Sequence, residues 1–381
     1  MTKPAPGISA VVIVLLFVAA LQAQTPADAI ALERQGKLPE AVEAWRAVTA
    51  RNPNDAAAFA SLGVALSKEQ KYSEAALAYR KALALNPKLP GIKLNLGLAE
   101  FKQGHFSAAI LPLRAALDAD PSSTQARTLL GMSYYGAKEF ALAAEYLQPV
   151  ADSDPENMAL HQTLAQSCLA AKKYDCALAE FRRIVERNPD SAAAHVLTGE
   201  ALDGLSRTGE AIAEFEAAVK ASPRGSNLHF GLGYLYWKSQ QYSKAKQEFD
   251  QELSLDPHHA QSLAYLGDMA WKDDHPDQAL SFFQRALKAN KQLRIVYIDL
   301  GAIYMRQKKY ENAKTALRRA VALDPTQPDA HYQLGRLYQA LGNRAEADKE
   351  LAKVRELHEK ADASLQEKMP SAPPPLDPAH Q

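Results

Sequence analysis

The chain has 381 residues, with 44 basic and 44 acidic side chains, no formal net charge and 47% hydrophobic residues. A balanced charge excludes the strong positive field on which nonspecific nucleic-acid binding rests. The abundance of Ala and Leu bounds most of the chain as globular and helical.

At the start, Lys3 precedes an apolar run over 11–17, followed by the small residues Ala19, Ala20 and Ala23. This is the charged, apolar, small-residue order of a secretory signal peptide, so residues 1–23 are read as a signal cleaved after Ala23. Residues 7–23 also reach about the minimum length for spanning a bilayer, which leaves an uncleaved membrane anchor as the alternative. No cysteine stands directly after the apolar run, which argues against a bacterial lipoprotein.

Beyond the signal, the sequence is organised by one unit, residues 56–89, which recurs down nearly the whole chain. Phe59, Leu62, Gly63 and Leu66 share one helical face, as do Ala75, Tyr79 and Ala82, so the unit reads as two helices. Residues 68–71 form a polar turn between them. Pro87 ends the second helix near Leu85, because proline lacks a backbone donor and biases the preceding residue away from helix.

Steps of 34 residues keep the phase. Ala75 recurs as Ala41, Ala109, Ala143, Ala177, Ala211, Ala245, Ala279, Ala313 and Ala347. Gly63 recurs as Gly97, Gly131, Gly199, Gly233, Gly267, Gly301 and Gly335, giving way only to Ala29 and Ala165. The aromatic at Tyr79 recurs as Trp45, Phe181, Phe215, Phe249 and Phe283, and Pro87 recurs in most units.

On these residues the chain resembles the tetratricopeptide repeat, a 34-residue helix-turn-helix family. The resemblance covers roughly residues 24–361 and implies an all-α, right-handed superhelical solenoid. The expected organisation is a partial first repeat over 24–55, nine tandem repeats over 56–361, the end of a C-terminal capping helix over 362–369, and a Pro-rich disordered tail over 370–381. A polar outer face on the last helix, carried by Glu350, Lys353, Arg355, Glu356, Glu359 and Lys360, suits a unit that has no neighbour.

The glycines need a compensating role. Each costs about 0.8–1.0 kcal/mol in a helix relative to alanine, roughly 6–8 kcal/mol over all of them. Gly63 facing Ala75 is therefore expected to mark a close helix crossing, where the axes approach the short end of the usual range of about 8–10 Å.

Two cysteines, Cys168 and Cys176, lie in the fifth unit, eight residues apart. An oxidising compartment permits a disulfide pinning that hairpin. The demanding geometry of the bond makes two free thiols the favoured expectation.

His161, His195, His229 and His331 share the fourth position of their units. Equivalent residues of stacked units lie about 8–10 Å apart, too far for one zinc with ligands at about 2 Å, so they are read as packed imidazoles and no metal is expected. His258 and His259 are read as part of a solvated turn between units.

The partner-facing surface is found by subtraction. The face through Leu62, Gly63 and Leu66 is always apolar or small and reads as core, while positions two, five, nine and twelve of the first helix vary. In the family this second face lines the concave groove. Here it carries Leu94, Leu98 and Phe101, then Met132 and Tyr135, then Phe230, Tyr234 and Trp237, then Ala264, Asp268 and Trp271, then Ile298 and Met305, and finally Tyr332 and Arg336. Aromatics, Met and Arg are enriched at interfaces and their hot spots. Two docking patches are expected, one near Phe101 and Tyr135 and one near Tyr234, Trp237 and Trp271. The competing reading makes them extra core. Co-chaperone members of the family clamp a terminal carboxylate with lysines, an arginine and asparagines on this face, whereas here the equivalent positions carry mainly apolar or aromatic residues and Asn95 stands alone, so that mode is not expected.

No phosphate-binding glycine loop, HExxH, GxSxG or dinucleotide fingerprint occurs, so neither catalysis nor a cofactor is expected. The expectation is a non-catalytic scaffold that binds a peptide or partner protein, exported to the periplasm of a Gram-negative bacterium, with no nucleic-acid partner and no stable membrane insertion after signal cleavage. A glycan-binding solenoid and a self-associating array, closing a homodimer through the aromatic patches, are the alternatives.

Overall fold

The computed structural model describes residues 25–368. The signal segment over 1–23 and the Pro-rich tail over 370–381 lie outside the described residues.

The described chain contains twenty α-helices and no strand. It forms two compact units, one running to Pro189 and including 200–206, the other comprising 190–199 and the chain from Arg207 onward. The first unit holds α1 (Pro26–Arg34), α2 (Leu38–Arg51), α3 (Ala56–Lys68), α4 (Tyr72–Leu85), α5 (Ile92–Lys102), α6 (Phe106–Ala119), α7 (Thr124–Gly136), α8 (Phe140–Ser153), α9 (Met158–Ala170) and α10 (Tyr174–Arg187). Helix α11 (Ala192–Gly204) gives residues to both units. The second unit continues with α12 (Thr208–Ala221), α13 (Leu228–Lys238), α14 (Tyr242–Leu255), α15 (Ala260–Lys272), α16 (Pro276–Ala289), α17 (Arg294–Arg306), α18 (Tyr310–Leu323), α19 (Pro328–Ala340) and α20 (Arg344–Lys368). Within each unit, hairpin partners pack together and the second helix of a hairpin packs on the next hairpin. The architecture is an all-α helical-repeat solenoid.

The repeated alanines sit at the centre of this packing, each between 0% and 1% exposed. The close crossing is visible where a Cβ on Gly199 or Gly335 would lie 3.3 or 3.6 Å from the carbonyl oxygen of Ala211 or Ala347, but the nearest neighbour is a larger group. A Cβ on Gly63 would lie 2.4 Å from the ring of Tyr79, and one on Gly267 would lie 2.5 Å from the ring of Phe283. The close approach is between a glycine on the first helix and the large side chain sixteen residues later on the second. Missing side-chain volume on one helix thus accommodates a fully buried ring from the other, and its burial, worth about 1.5–3 kcal/mol, offsets the glycine's helix penalty.

Each hairpin turn reverses the chain through one residue in the left-handed region. Gly36, Gly104 and Gly342 occupy it in three turns, and Gln70, Lys138, Lys172, Ser206, Gln240, Asp274 and Lys308 in the other seven, with φ of 59–63°. Behind it the next amide reaches back to a helical carbonyl, as Lys71 N does to Leu66 O at 2.9 Å. This is the Schellman closure, which satisfies carbonyls left over at the helix end.

Polar rungs tie neighbouring hairpins together at a spacing the hydrophobic pattern does not reveal. A side chain on a second helix reaches the residue twenty positions later on the following first helix: Arg80 to Glu100, Arg114 to Tyr134, and Arg318 to Tyr338, while the Tyr236 hydroxyl donates to Glu216. Within hairpins, the four position-four histidines are buried and pair through Nδ1 with a glutamate on the second helix. The partners are Glu180, Glu214, Glu248 and Glu350, at 2.5–2.6 Å.

The thiols are not free. Cys168 on α9 and Cys176 on α10 form a disulfide with their Cα atoms 5.8 Å apart, so the turn of the fifth hairpin brings them into bonding geometry. No helix among the described residues is long and apolar enough to cross a membrane.

Candidate functional site

The variable face of the first helices is partly buried in both units, and the structure divides the expected docking residues into distinct settings. In the first unit, Phe101 packs edge-on against Phe106 at 5.6 Å and Tyr135 does the same to Phe140 at 5.8 Å. Both second rings open the partner helix of the same hairpin, so much of this aromatic surface is spent inside its own repeat. The Tyr135 hydroxyl also donates to Gln166 Oε1 at 2.7 Å, bridging to the next repeat. Leu94 lines a recess of about 520 Å³ beside the turn at Pro87–Gly91, and Leu98 a separate one of about 220 Å³. Met132 is half-buried.

The second unit gathers its aromatics more tightly. Phe230, Tyr234 and Trp237 on α13 surround Tyr265 on α15, with ring centroids 6.0, 5.8 and 5.0 Å from it. Phe249 also stacks on Tyr265, at 5.4 Å. His259, expected in a solvated turn, is buried and caps α15. Its Nδ1 accepts from Ser262 N, and its Nε2 lies 2.9 Å from Asn227 Oδ1. The physical reason is the ring of Phe230, 5.0 Å from the imidazole, which covers the turn.

Trp271 does not join this cluster. The Arg306 guanidinium lies 4.2 Å from the centroid of its ring, a cation–π contact that binds it to the following repeat. Ala264 and Ile298, which fall on the variable face in sequence, are buried. Met305 packs against the core beside Leu317 and Leu337, Tyr332 is 47% exposed, and Arg336 is exposed.

Beside the cluster lies a recess of about 360 Å³ lined by Trp237, Ala264, Tyr265, Asp268, Lys272, Ile295 and Asp299. The Trp237 indole N–H donates to Asp268 Oδ2 at 3.1 Å, which fixes the plane of the indole. Lys272 Nζ sits 2.8 Å from the same oxygen and 4.8 Å from the Trp237 centroid. Burial pushes the Tyr265 hydroxyl up to about 12, helped by Tyr234 and Asp268. Burial also pushes the Asp299 carboxyl up to about 7, with Asp268 and Asp329 adding to the rise and Lys272 opposing it.

Tyr265, Lys272 and Asp299 lie outside the four positions of the first helix that the sequence reading followed, and Ile295, at position two of its unit, was not singled out. A signal was present for Asp299. Its repeat position is otherwise Ser61, Asn95, Leu129, Thr163, Leu197, Gly231, Tyr265 and Gln333, so it is the single acid in a neutral series.

The described residues contain no group of three or more His, Cys, Asp or Glu side chains arranged to hold a metal ion.

Family models for the tetratricopeptide repeat match residues 18–90, 94–157, 163–226 and 230–293, and further repeat models match 301–342 and 329–361. No curated protein sequence matches the chain. Among solved structures, the Cut9–Hcn1 hetero-tetramer of the APC/C is similar over 90% of this chain and 82% of its own, at 14% identity and a TM-score of 0.52. Yeast Tom70 is similar over 89% of this chain and 92% of its own, at 15% identity and a TM-score of 0.44. MamA of MSR-1 is 26% identical over 43% of this chain and 95% of its own, with a TM-score of 0.39. The repeat models cover well over half of the sequence and coincide with the helical hairpins, and the chain belongs to the tetratricopeptide repeat family.

Proposed function

We propose that the chain is a non-catalytic scaffold that holds a peptide or a segment of a partner protein against the variable face of its first helices, in the envelope of a Gram-negative bacterium. The observation that carries this reading is the cluster of Phe230, Tyr234, Trp237 and Tyr265 beside an open recess in the second unit. Aromatic side chains that are half-buried, fixed by their neighbours and still open on one side are the anchors an interface uses. The first-unit residues Leu94, Leu98, Phe101, Met132 and Tyr135 form a weaker second patch, since their rings are engaged within their own repeats. Trp271, Met305, Tyr332 and Arg336 belong to the rim. Export rests on the sequence of residues 1–23.

Affinity capture from an envelope extract tests the reading, with the mature protein beside a Tyr234→Ala, Trp237→Ala double variant of unchanged helicity. A protein retained by the wild type and lost from the variant supports the cluster as the interaction surface. Equal retention by both moves the interaction elsewhere on the chain.

A further inference from the structure

We infer that the recess between α13, α15 and α17 is a subsite for one basic side chain, lysine or arginine, of the bound partner segment. This rests on the peptide-binding reading and specifies what the partner must carry.

The walls suit the stem and the head of such a side chain separately. Ala264 and Ile295 offer apolar surface to a methylene stem, and Trp237 and Tyr265, with ring planes at 70°, offer aromatic surface to a cation. Asp268 and Asp299 supply two carboxylates. The structure already contains a cation in this chemistry. Lys272 reaches Asp268 and the face of Trp237 together, with its side chain 50% exposed, so it shares the recess with an incoming cation and repels it at close range.

Charge is not balanced at the recess. Lys272 answers Asp268, but Asp299 makes no hydrogen bond or ion pair among the described residues. Arg294, on the same helix as Asp299, is held 2.5 Å from Asp329. An incoming ammonium or guanidinium would complete the set, pairing with Asp299 in a setting shielded from water, where an uncompensated carboxylate is costly and a compensated one is specific. A neutral or acidic side chain gains nothing from this recess, and an acidic one is repelled.

The test is selection of random dodecapeptides on the immobilised full chain, followed by equilibrium binding of individual winners. Three proteins are compared: wild type, Asp268→Asn/Asp299→Asn, and Lys272→Gln, each checked for helicity by circular dichroism. The wild type is expected to enrich peptides bearing Lys or Arg at a fixed distance from a hydrophobic anchor. Exchange of that residue for norleucine should weaken binding at least tenfold to the wild type and hardly at all to the double variant, and Lys272→Gln should bind the basic peptides several-fold more tightly. Enrichment without basic residues, or a norleucine exchange that costs the same in wild type and double variant, overturns the subsite and leaves the peptide-binding reading standing. A wild type that retains no peptide at all removes both.

Discussion

Replacing Asp299 with Asn should change the stability of the second unit in a manner that depends on pH. Asp299 sits on α17, faced by Asp268 and Lys272 from α15 and by Asp329 from α19. Burial and the two like charges outweigh Lys272 and lift its carboxyl from 3.8 to about 7. The folded protein therefore holds the proton more tightly than the unfolded chain does. Below about pH 4 both states are protonated and the site costs nothing. Between about pH 4 and 7 the unfolded chain ionises first, so stability falls as pH rises, and above pH 7 the full cost is present. With about 1.36 kcal/mol for each unit of difference, that cost is at most about 4 kcal/mol. Asparagine removes the charge and keeps the shape. Thermal unfolding followed by circular dichroism should show Asp299→Asn and wild type melting together near pH 4, with the variant melting several degrees higher at pH 8. A difference of the same size at both pH values would refute the argument, because a packing effect does not titrate. A lower melting temperature for the variant at pH 8 would show that Lys272, rather than burial, governs the group.

Three further outcomes follow from the packing. Gly233→Leu places a side chain where even a Cβ would lie 2.8 Å from the ring of Phe249, so a loss of at least about 1–3 kcal/mol is expected, read as a lower melting temperature. Lys308→Gly should raise stability by up to about 1 kcal/mol, since this exposed turn residue holds φ at 59°, and chemical denaturation with an unchanged slope would check it. Reduction of Cys168–Cys176 releases a short loop, so a loss of about 2.5 kcal/mol is expected from loop entropy, centred on the fifth hairpin and visible as faster amide exchange in α9 and α10.

The sequence by itself determined the architecture. A 34-residue period that keeps Ala, Gly, an aromatic and Pro in phase specifies helix, turn and helix in each unit, because the apolar face must repeat wherever the same packing repeats. Helix ends were legible for the same reason: α4 stops at Leu85, one residue before the asparagine that precedes Pro87. What the period could not reveal is which side chains meet across repeats. The glycine's nearest partner proved to be the large side chain sixteen residues on, a ring or a leucine, and neither that pairing nor the rungs at twenty, such as Arg80 with Glu100, is a local periodicity. Their spacing is set by how hairpins stack. His259 reads as a turn residue and becomes a buried cap only because Phe230 from the preceding hairpin covers it. Trp237 and Trp271 are equivalent in sequence, yet one faces Tyr265 and Asp268 while the other lies beneath Arg306. Identical register gives identical backbone positions, and the neighbouring repeat, whose surface residues differ at every step, decides what each position touches. The candidate site is built from those differences, so it belongs to the tertiary structure.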